Sequence, residues 1–140
     1  MVKRPINRII LEGPDLSGKS TFYNQLHKLT NYRWNIQDRS SLSMLVHARQ
    51  YNRNTFTHVE SLKKDLLDLN NVFILLLPSW EVIMRRFTER GDEIQSLASL
   101  KNVYDLFQES ADDLSSYPNF IVIKEEIDDA LAVFVANTLR

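Results

Sequence analysis

The fold of this chain is decided by one stretch near its start, Ile9-Ile10-Leu11-Glu12-Gly13-Pro14-Asp15-Leu16-Ser17-Gly18-Lys19-Ser20-Thr21. Residues 13–20 match the pattern G-x-x-x-x-G-K-[ST] at every fixed position. An apolar, β-branched run precedes the match and a helix-compatible segment follows it, which predicts a strand, a loop and a helix in that order. In this geometry the N–H groups of the loop and of the helix N-terminus point at one anion, so the stretch predicts a phosphate-binding loop.

The residue types in the loop predict ATP and Mg²⁺ as its ligands. Lys19 would neutralise the β- and γ-phosphates, and the Ser20 hydroxyl would bind Mg²⁺. The chain has three glycines, and two of them fall in the loop, where backbone must approach a ligand. The nucleotide-binding residues predicted here are Gly13, Pro14, Asp15, Leu16, Ser17, Gly18, Lys19, Ser20 and Thr21.

Length and composition bound the class of protein. A chain of 140 residues predicts one domain, residues 1–140, with a real core. The absence of cysteine excludes disulfides and thiolate metal sites and suits a reducing compartment, so we expect a cytoplasmic protein. No run has the length of a membrane span or the pattern of a signal peptide. A net charge of −1 gives no global basic field for nucleic acid.

Strand and helix patterns alternate along the chain, which predicts an α/β fold, a three-layer αβα sandwich with a short, mostly parallel sheet of about four strands. A capping box at Thr57 and Glu60 would begin the third helix, and Gly91 would end the fourth. The predicted strands are residues 6–12, 32–37, 72–77 and 120–123, and the predicted helices are residues 19–29, 41–51, 58–69, 80–90, 95–115 and 126–139.

Ligands in such folds bind beyond the carboxyl ends of the strands. Several polar side chains and one proline fall there, and we expect them at one edge of the sheet: Asp15, Lys19, Asp38, Arg39, Pro78 and Lys124.

The tripeptide Asp38-Arg39-Ser40 follows the second predicted strand. Asp38 could accept the proton of an attacking hydroxyl or bind Mg²⁺, and these two roles need a carboxylate in the same place. Arg39 could donate two N–H groups to a phosphate. The alternative is a helix N-cap with a surface arginine, but the phosphate loop favours the functional interpretation.

Arginines at the end of the fourth predicted helix suggest a lid, about residues 84–95. Arg86 and Arg90 are spaced i, i+4 and share a helix face, and a glycine follows them. Such a segment could close over the transferring phosphate, whereas the alternative is a solvated basic face. The apolar run 72–77 is followed by Pro78 rather than by an aspartate, so the metal would depend on Ser20, the nucleotide and Asp38. No [N/T]-K-x-D stretch is present, which counts against a GTPase.

Together these segments resemble thymidylate kinases and the related deoxynucleoside kinases, both families of the P-loop kinase fold. The similarity covers residues 11–21, Asp38-Arg39-Ser40, the strand and lid of residues 73–93, and the closing strand and helix. It implies that Lys19, Asp38, Arg39, Arg86 and Arg90 are catalytic, and that Asp15, Asp38 and Arg39 form the acceptor site. Trp34, which is close to Asp38 in sequence, could stack a nucleobase in that site. It also implies that Ser20 binds Mg²⁺, that Asp38 is either the base or a metal partner, that Arg86 and Arg90 clamp ATP, and that Lys124 lies near the adenine-side loop.

The chain departs from those families between the phosphate loop and Asp38, because only residues 21–37 stand where the families insert an acceptor-binding strand and helices. Either a partner subunit, as in a homodimer, completes the acceptor pocket, or the acceptor is large. The leading hypothesis is a kinase for a nucleoside or nucleotide. The alternative is a compact, phage-type kinase acting on DNA, with a basic stripe drawn from Arg33, Arg39, Arg49 and Arg53. A nucleotide-binding regulator without turnover is the hypothesis of a different class.

Overall fold

The computed structural model describes residues 6–90 and 96–139, and strands and helices alternate through most of that part of the chain. The strands are β1 (Arg8–Glu12), β2 (Ile36–Asp38), β3 (Asn71–Leu76) and β4 (Phe120–Ile123). The helices are α1 (Lys19–Leu29), α2 (Ser41–Gln50), α3 (Phe56–Leu67), α4 (Trp80–Arg90), α5 (Leu97–Leu114) and α6 (Asp129–Leu139).

The four strands form one parallel sheet in the order β2-β1-β3-β4. Helices cover both faces, with α1 and α6 packed on one side and α2, α3 and α5 on the other. All six residues of β3 are buried, as expected for a central strand of a sheet covered on both faces. This arrangement confirms the predicted α/β sandwich of three layers.

The two central strands, β1 and β3, bring the functional segments together. Because the strands are parallel, their carboxyl ends meet at one edge of the sheet. The register pairs Leu11 with Asp38, so the phosphate loop after β1 and the turn after β2 begin side by side. The sequence predicts that both segments lie at this edge, and the strand register shows that they are immediate neighbours.

Several predicted boundaries differ from those of the structure by two residues or more, and three of them have a local reason. The second strand begins at Ile36 rather than at residue 32, because Asn31 and Tyr32 have φ values of 53° and 59° and form a left-handed turn. The capping box at Thr57 and Glu60 does not start α3, which begins at Phe56; the Phe56 N–H donates to Asn54 Oδ1 at 2.9 Å.

The third wrong boundary is at the closing helix, which begins at Asp129 rather than at residue 126. Asp128 Oδ1 accepts a hydrogen bond from the Leu131 N–H at 2.7 Å, so Asp128 caps the first turn. The predicted end of α4 at Gly91 and the remainder of the lid segment to residue 95 lie outside the described residues. Within residues 6–90 and 96–139, none of the helices combines the length and apolarity needed to cross a membrane.

Candidate active site

The phosphate loop between β1 and α1 has a backbone that side chains would obstruct. Gly13 has φ +150°, and a Cβ placed there would lie 2.6 Å from the Leu76 carbonyl oxygen. Gly18 has φ +91°, and its Cβ would lie 3.3 Å from Ile127 Cγ1. Leu16 is also left-handed, with φ 67°. Successive turns of this kind direct backbone N–H groups into one concavity, which is the geometry of an anion-binding loop.

Lys19, the first residue of α1, lies in the interior of this site. It is only 6% exposed, and Nζ donates to the Gly13 carbonyl oxygen at 3.3 Å. Nζ also lies 3.6 Å from Asp38 Oδ1. Burial lowers the pKa of Lys19, and the neighbouring Arg39 lowers it further, whereas Asp38 and Glu12 act in the opposite direction. A further negative charge close to Nζ would oppose this lowering of the pKa.

The turn after β2 places Asp38 and Arg39 against the phosphate loop. Arg39 has φ 70°, and its N–H donates to the Leu11 carbonyl oxygen at 2.8 Å. Its guanidinium Nη2 donates to Asp15 Oδ1 at 2.7 Å. The acidic and basic residues predicted from two separate motifs are therefore in direct contact across the sheet edge.

Two cavities meet at this contact. The first, called the phosphate cavity, has a volume of about 430 Å³ and is lined by residues 14–21, Arg39 and Arg90. The second, called the side cavity, has a volume of about 530 Å³ and extends between α2 and α5. Its lining includes His47, Gln50, Tyr51, Ser99 and Phe107. Both cavities are lined by Pro14, Asp15 and Arg39.

The side cavity is mostly uncharged. Among the described residues that line it, the acidic, lysine and arginine side chains are Asp15 and Arg39, and these two pair with each other. The Gln50 side chain donates from Nε2 to Ser99 Oγ at 2.9 Å, which links the two helices across the cavity. A cavity of this volume, lined by aromatic and uncharged polar side chains, is suited to binding a small organic molecule.

Arg86 and Arg90, the two α4 arginines of the predicted lid, do not share one cavity. Arg90 lines the phosphate cavity, whereas Arg86 lines a smaller cavity of about 270 Å³ with Gly18, Thr21 and Ile127. Arg86 Nη1 donates to the Leu16 carbonyl oxygen at 2.7 Å, and its Nη2 lies 3.7 Å from Glu126 Oε2. The family resemblance implies that both arginines clamp ATP together. In the structure, the Arg90 side chain lines the phosphate cavity and the Arg86 side chain lines the smaller one.

Two predicted site residues are not brought to the phosphate loop. Trp34 precedes β2, at the amino edge of the sheet, and packs against the apolar cluster beneath α1 and α6. Lys124 is exposed just beyond β4, and the residue of that loop that approaches the phosphate loop is Ile127. Their expected roles, nucleobase stacking for Trp34 and a place near the adenine-side loop for Lys124, stay predictions.

The arginines considered for a DNA-binding stripe have different surroundings in the structure, and the stripe stays a prediction. His47 lines the side cavity, whereas Arg49 lines an apolar groove between α2, α3 and α5. Arg33 lies at the amino edge of the sheet, before β2, and Arg39 lies at the carboxyl edge. Arg53, just after α2, has its guanidinium carbon 5.3 Å from the centroid of the Tyr51 ring.

Sequence reasoning missed Glu12, the last residue of β1. Its carboxylate has no exposed surface and accepts hydrogen bonds from the Ser40 N–H at 2.9 Å, the Ser43 N–H at 2.6 Å and the Ser43 hydroxyl at 2.9 Å. Burial raises the pKa of Glu12, although the hydrogen bonds and Lys19 oppose that effect. A glutamate at the end of a fully apolar run was the available signal, because a buried acid needs donors from elsewhere in the fold.

Comparisons with known proteins define the fold. The YorR protein from Bacillus subtilis, solved in complex with phosphorylated GDP, aligns with a TM-score of 0.64 at 21% identity, over 94% of this chain and 92% of that one. Deoxyadenosine kinase from M. mycoides, solved with the products dCMP and dCDP, aligns with a TM-score of 0.61 at 14% identity, over 94% of this chain and 98% of that one.

A second structure of the M. mycoides enzyme, with bound dATP, aligns with a TM-score of 0.54 at 16% identity, again over 94% and 98% of the two chains. No protein-family model and no curated protein sequence matches the chain. The chain therefore has the fold of the P-loop kinases.

Proposed function

We propose that this chain is an ATP- and Mg²⁺-dependent kinase that phosphorylates a hydroxyl group of a nucleoside or nucleotide. The observation that carries the proposal is the meeting of two cavities at the pair formed by Asp15 and Arg39, with Lys19 and Asp38 3.6 Å apart beside it. Phosphoryl transfer needs a donor site and an acceptor site that share one reacting point. Within the P-loop kinases, the loop and the Asp38-Arg39-Ser40 turn favour the thymidylate and deoxynucleoside kinases.

In the assignment that follows, the phosphate cavity holds the triphosphate of ATP and the side cavity holds the acceptor. Lys19, Arg39 and Arg90 neutralise the phosphoryl group during transfer. A bond forms from the acceptor oxygen to the γ-phosphorus while the bond to the β-phosphate oxygen breaks, and the hydroxyl proton passes to Asp38 if this carboxylate is not a metal ligand, or otherwise to water. ADP and the phosphorylated acceptor are the products.

The oxygen donors present fit Mg²⁺. Ser20 is exposed at the start of α1 on the wall of the phosphate cavity, and Asp38 lies beside Lys19. Mg²⁺ is usually held by one or two protein oxygens together with phosphates and waters. The ion would neutralise charge on the phosphates, and Ser20 and Asp38 would hold it. Asp38 would then serve either as a ligand or as the proton acceptor.

The test is transfer of label from γ-labelled ATP with Mg²⁺ to nucleosides, nucleoside monophosphates, and DNA with normal or hydroxymethylated bases. We expect label on a small acceptor, and we expect Lys19→Ala to lower the rate by about 10²-fold or more. Lys28→Ala, which removes an exposed lysine of the same helix, is the matched control and should retain the rate.

Other outcomes would change the assignment. If only DNA is labelled, the proposal that the acceptor is a nucleoside or nucleotide is wrong. Bound ATP without transfer to any acceptor would make the protein a nucleotide-binding regulator. Full activity of the Lys19→Ala variant would show that the phosphate loop has been assigned wrongly.

A further inference from the structure

Glu12 is a fully buried carboxylate that has no part in the chemistry assigned above. Both of its oxygens are engaged, Oε1 by the Ser40 N–H and the Ser43 hydroxyl and Oε2 by the Ser43 N–H. All three donors belong to the start of α2, whereas Glu12 itself ends β1 and precedes Gly13. The residue therefore joins the phosphate loop to the turn that carries Asp38 and Arg39.

The helix α2 takes its N-terminal cap from this neighbouring strand. Ser40 occupies the N-cap position, but its side chain makes no capping hydrogen bond, and within the described part of the chain its buried hydroxyl oxygen has no hydrogen-bond partner. The first N–H groups of a helix need acceptors. The side-chain oxygens of Glu12 supply them for Ser40 and Ser43.

The backbone at Arg39 depends on the same strand. Arg39 has φ 70°, a conformation that side-chain-bearing residues adopt only when their surroundings hold them there. The Arg39 N–H donates to Leu11, and the next N–H, that of Ser40, donates to Glu12. Consecutive residues of β1 thus hold consecutive residues of the turn.

We infer that Glu12 is a positioning residue for phosphoryl transfer, which holds the turn of residues 38–40 so that Asp38 lies beside Lys19 and Arg39 beside Asp15. The inference rests on the proposed function. Glu12 acts through Ser40 and Ser43 and touches neither nucleotide nor acceptor. Its loss should therefore affect the transfer step more than ATP binding, because misplacing reacting groups by about 1 Å can cost 10²-fold in rate.

The kinetic test compares Glu12→Gln with Asn119→Ala, at a temperature where both variants are folded. Asn119 is a matched control because its buried side chain also makes three hydrogen bonds, to the carbonyl oxygens of Leu66, Asp68 and Asn71, and it precedes β4 at the opposite edge of the sheet. We expect Glu12→Gln to lower kcat by about 10- to 100-fold with little change in the KM for ATP. Asn119→Ala should lower the Tm and leave kcat unchanged.

Wild-type kcat in Glu12→Gln would overturn the inference. It would also be overturned if kcat and ATP affinity fell together in both variants, because that pattern follows from lost stability alone. If Glu12→Gln does not fold, Ser43→Ala replaces it: this variant removes one of the three hydrogen bonds and keeps the carboxylate, and it should show a smaller fall in kcat with the same unchanged KM.

Amide hydrogen exchange separates this inference from the proposed function. In Glu12→Gln we expect faster exchange at residues 40–43, with protection retained in α6. If the wild-type protein phosphorylates no acceptor, the proposed function is wrong. The exchange experiment still tests whether Glu12 holds the turn in place. Unchanged exchange at residues 40–43, or an equal increase over the whole chain, would overturn the inference.

Discussion

At the scale of single residues, the phosphate loop is constrained by space as much as by charge. Gly13 lies against the backbone carbonyl of Leu76, which belongs to a buried strand and cannot move aside as a flexible side chain can. Gly18 also has a positive φ, but its nearest neighbour is the side chain of Ile127. The two glycines should therefore differ in their tolerance of a methyl group.

We expect Gly13→Ala to lower the free energy of unfolding by about 1–3 kcal/mol and to abolish ATP binding, because its Cβ would overlap the Leu76 carbonyl oxygen. Gly18→Ala should lower the free energy of unfolding by a smaller amount, since the Ile127 side chain can move away from the added methyl group. Urea denaturation and isothermal titration with ATP measure both effects. Equal losses in the two variants would contradict this explanation.

The buried Glu12 carboxylate predicts a pH dependence of stability. Its pKa in the folded protein is raised above the ordinary value of 4.5, so the folded state favours the protonated form. This preference for the protonated form adds to the free energy of unfolding. The added free energy is fully present below pH 4.5 and is lost as the pH rises through the pKa that Glu12 has in the folded protein. We expect the wild-type free energy of unfolding minus that of Glu12→Gln to fall as the pH rises, measured by urea denaturation between about pH 4 and pH 8. A flat or rising difference would contradict the direction of the pKa shift.

At the scale of elements, α2 divides two environments. Its residues His47 and Gln50 line the side cavity, and Arg49 lines the apolar groove on another side of the helix. Arg39, just before the helix, contacts Asp15 at the meeting point of the cavities. Basic residues that are close in sequence therefore have different surroundings.

We expect Arg39→Ala to lower phosphoryl transfer by about 10²-fold, because it removes a charge at the transferring group. Arg49→Ala should leave transfer within the error of the same steady-state assay. A similar loss in both variants would instead favour a basic surface for a polyanionic acceptor.

The elements also show how much the sequence could predict. The phosphate loop and α1 were predictable because a fixed motif sits between a clear strand and a clear helix, and β4 has the bounds expected from its apolar run. The start of β2 was not predictable, because the left-handed turn at Asn31 and Tyr32 contains no glycine that would indicate it in the sequence. The role of Glu12 was not predictable because its donors lie in another element, and only the fold brings them together.

At the scale of the whole molecule, the proposed nucleotide site should couple to stability. A ligand that binds only the folded state at about 100 times its Kd adds about 2.7 kcal/mol to the free energy of unfolding. For a chain of 140 residues, this corresponds to a rise in Tm of roughly 5–10 °C. We expect that rise with ATP and Mg²⁺ in wild-type protein and little of it in Lys19→Ala. An equal rise in both would mean that ATP binds elsewhere.

The position of the phosphate loop has a consequence for folding during synthesis. The loop is encoded near the start of the chain, but Gly13 lies against Leu76 and Gly18 against Ile127, far along the sequence. Its strand β1 pairs with β3, and Arg8 and Asn71 of this pair are 63 positions apart. Contacts of such long range form slowly. On the ribosome, residues 13–20 must therefore emerge well before Leu76 and Ile127, and the loop can take its final shape only after these two partners have been synthesised.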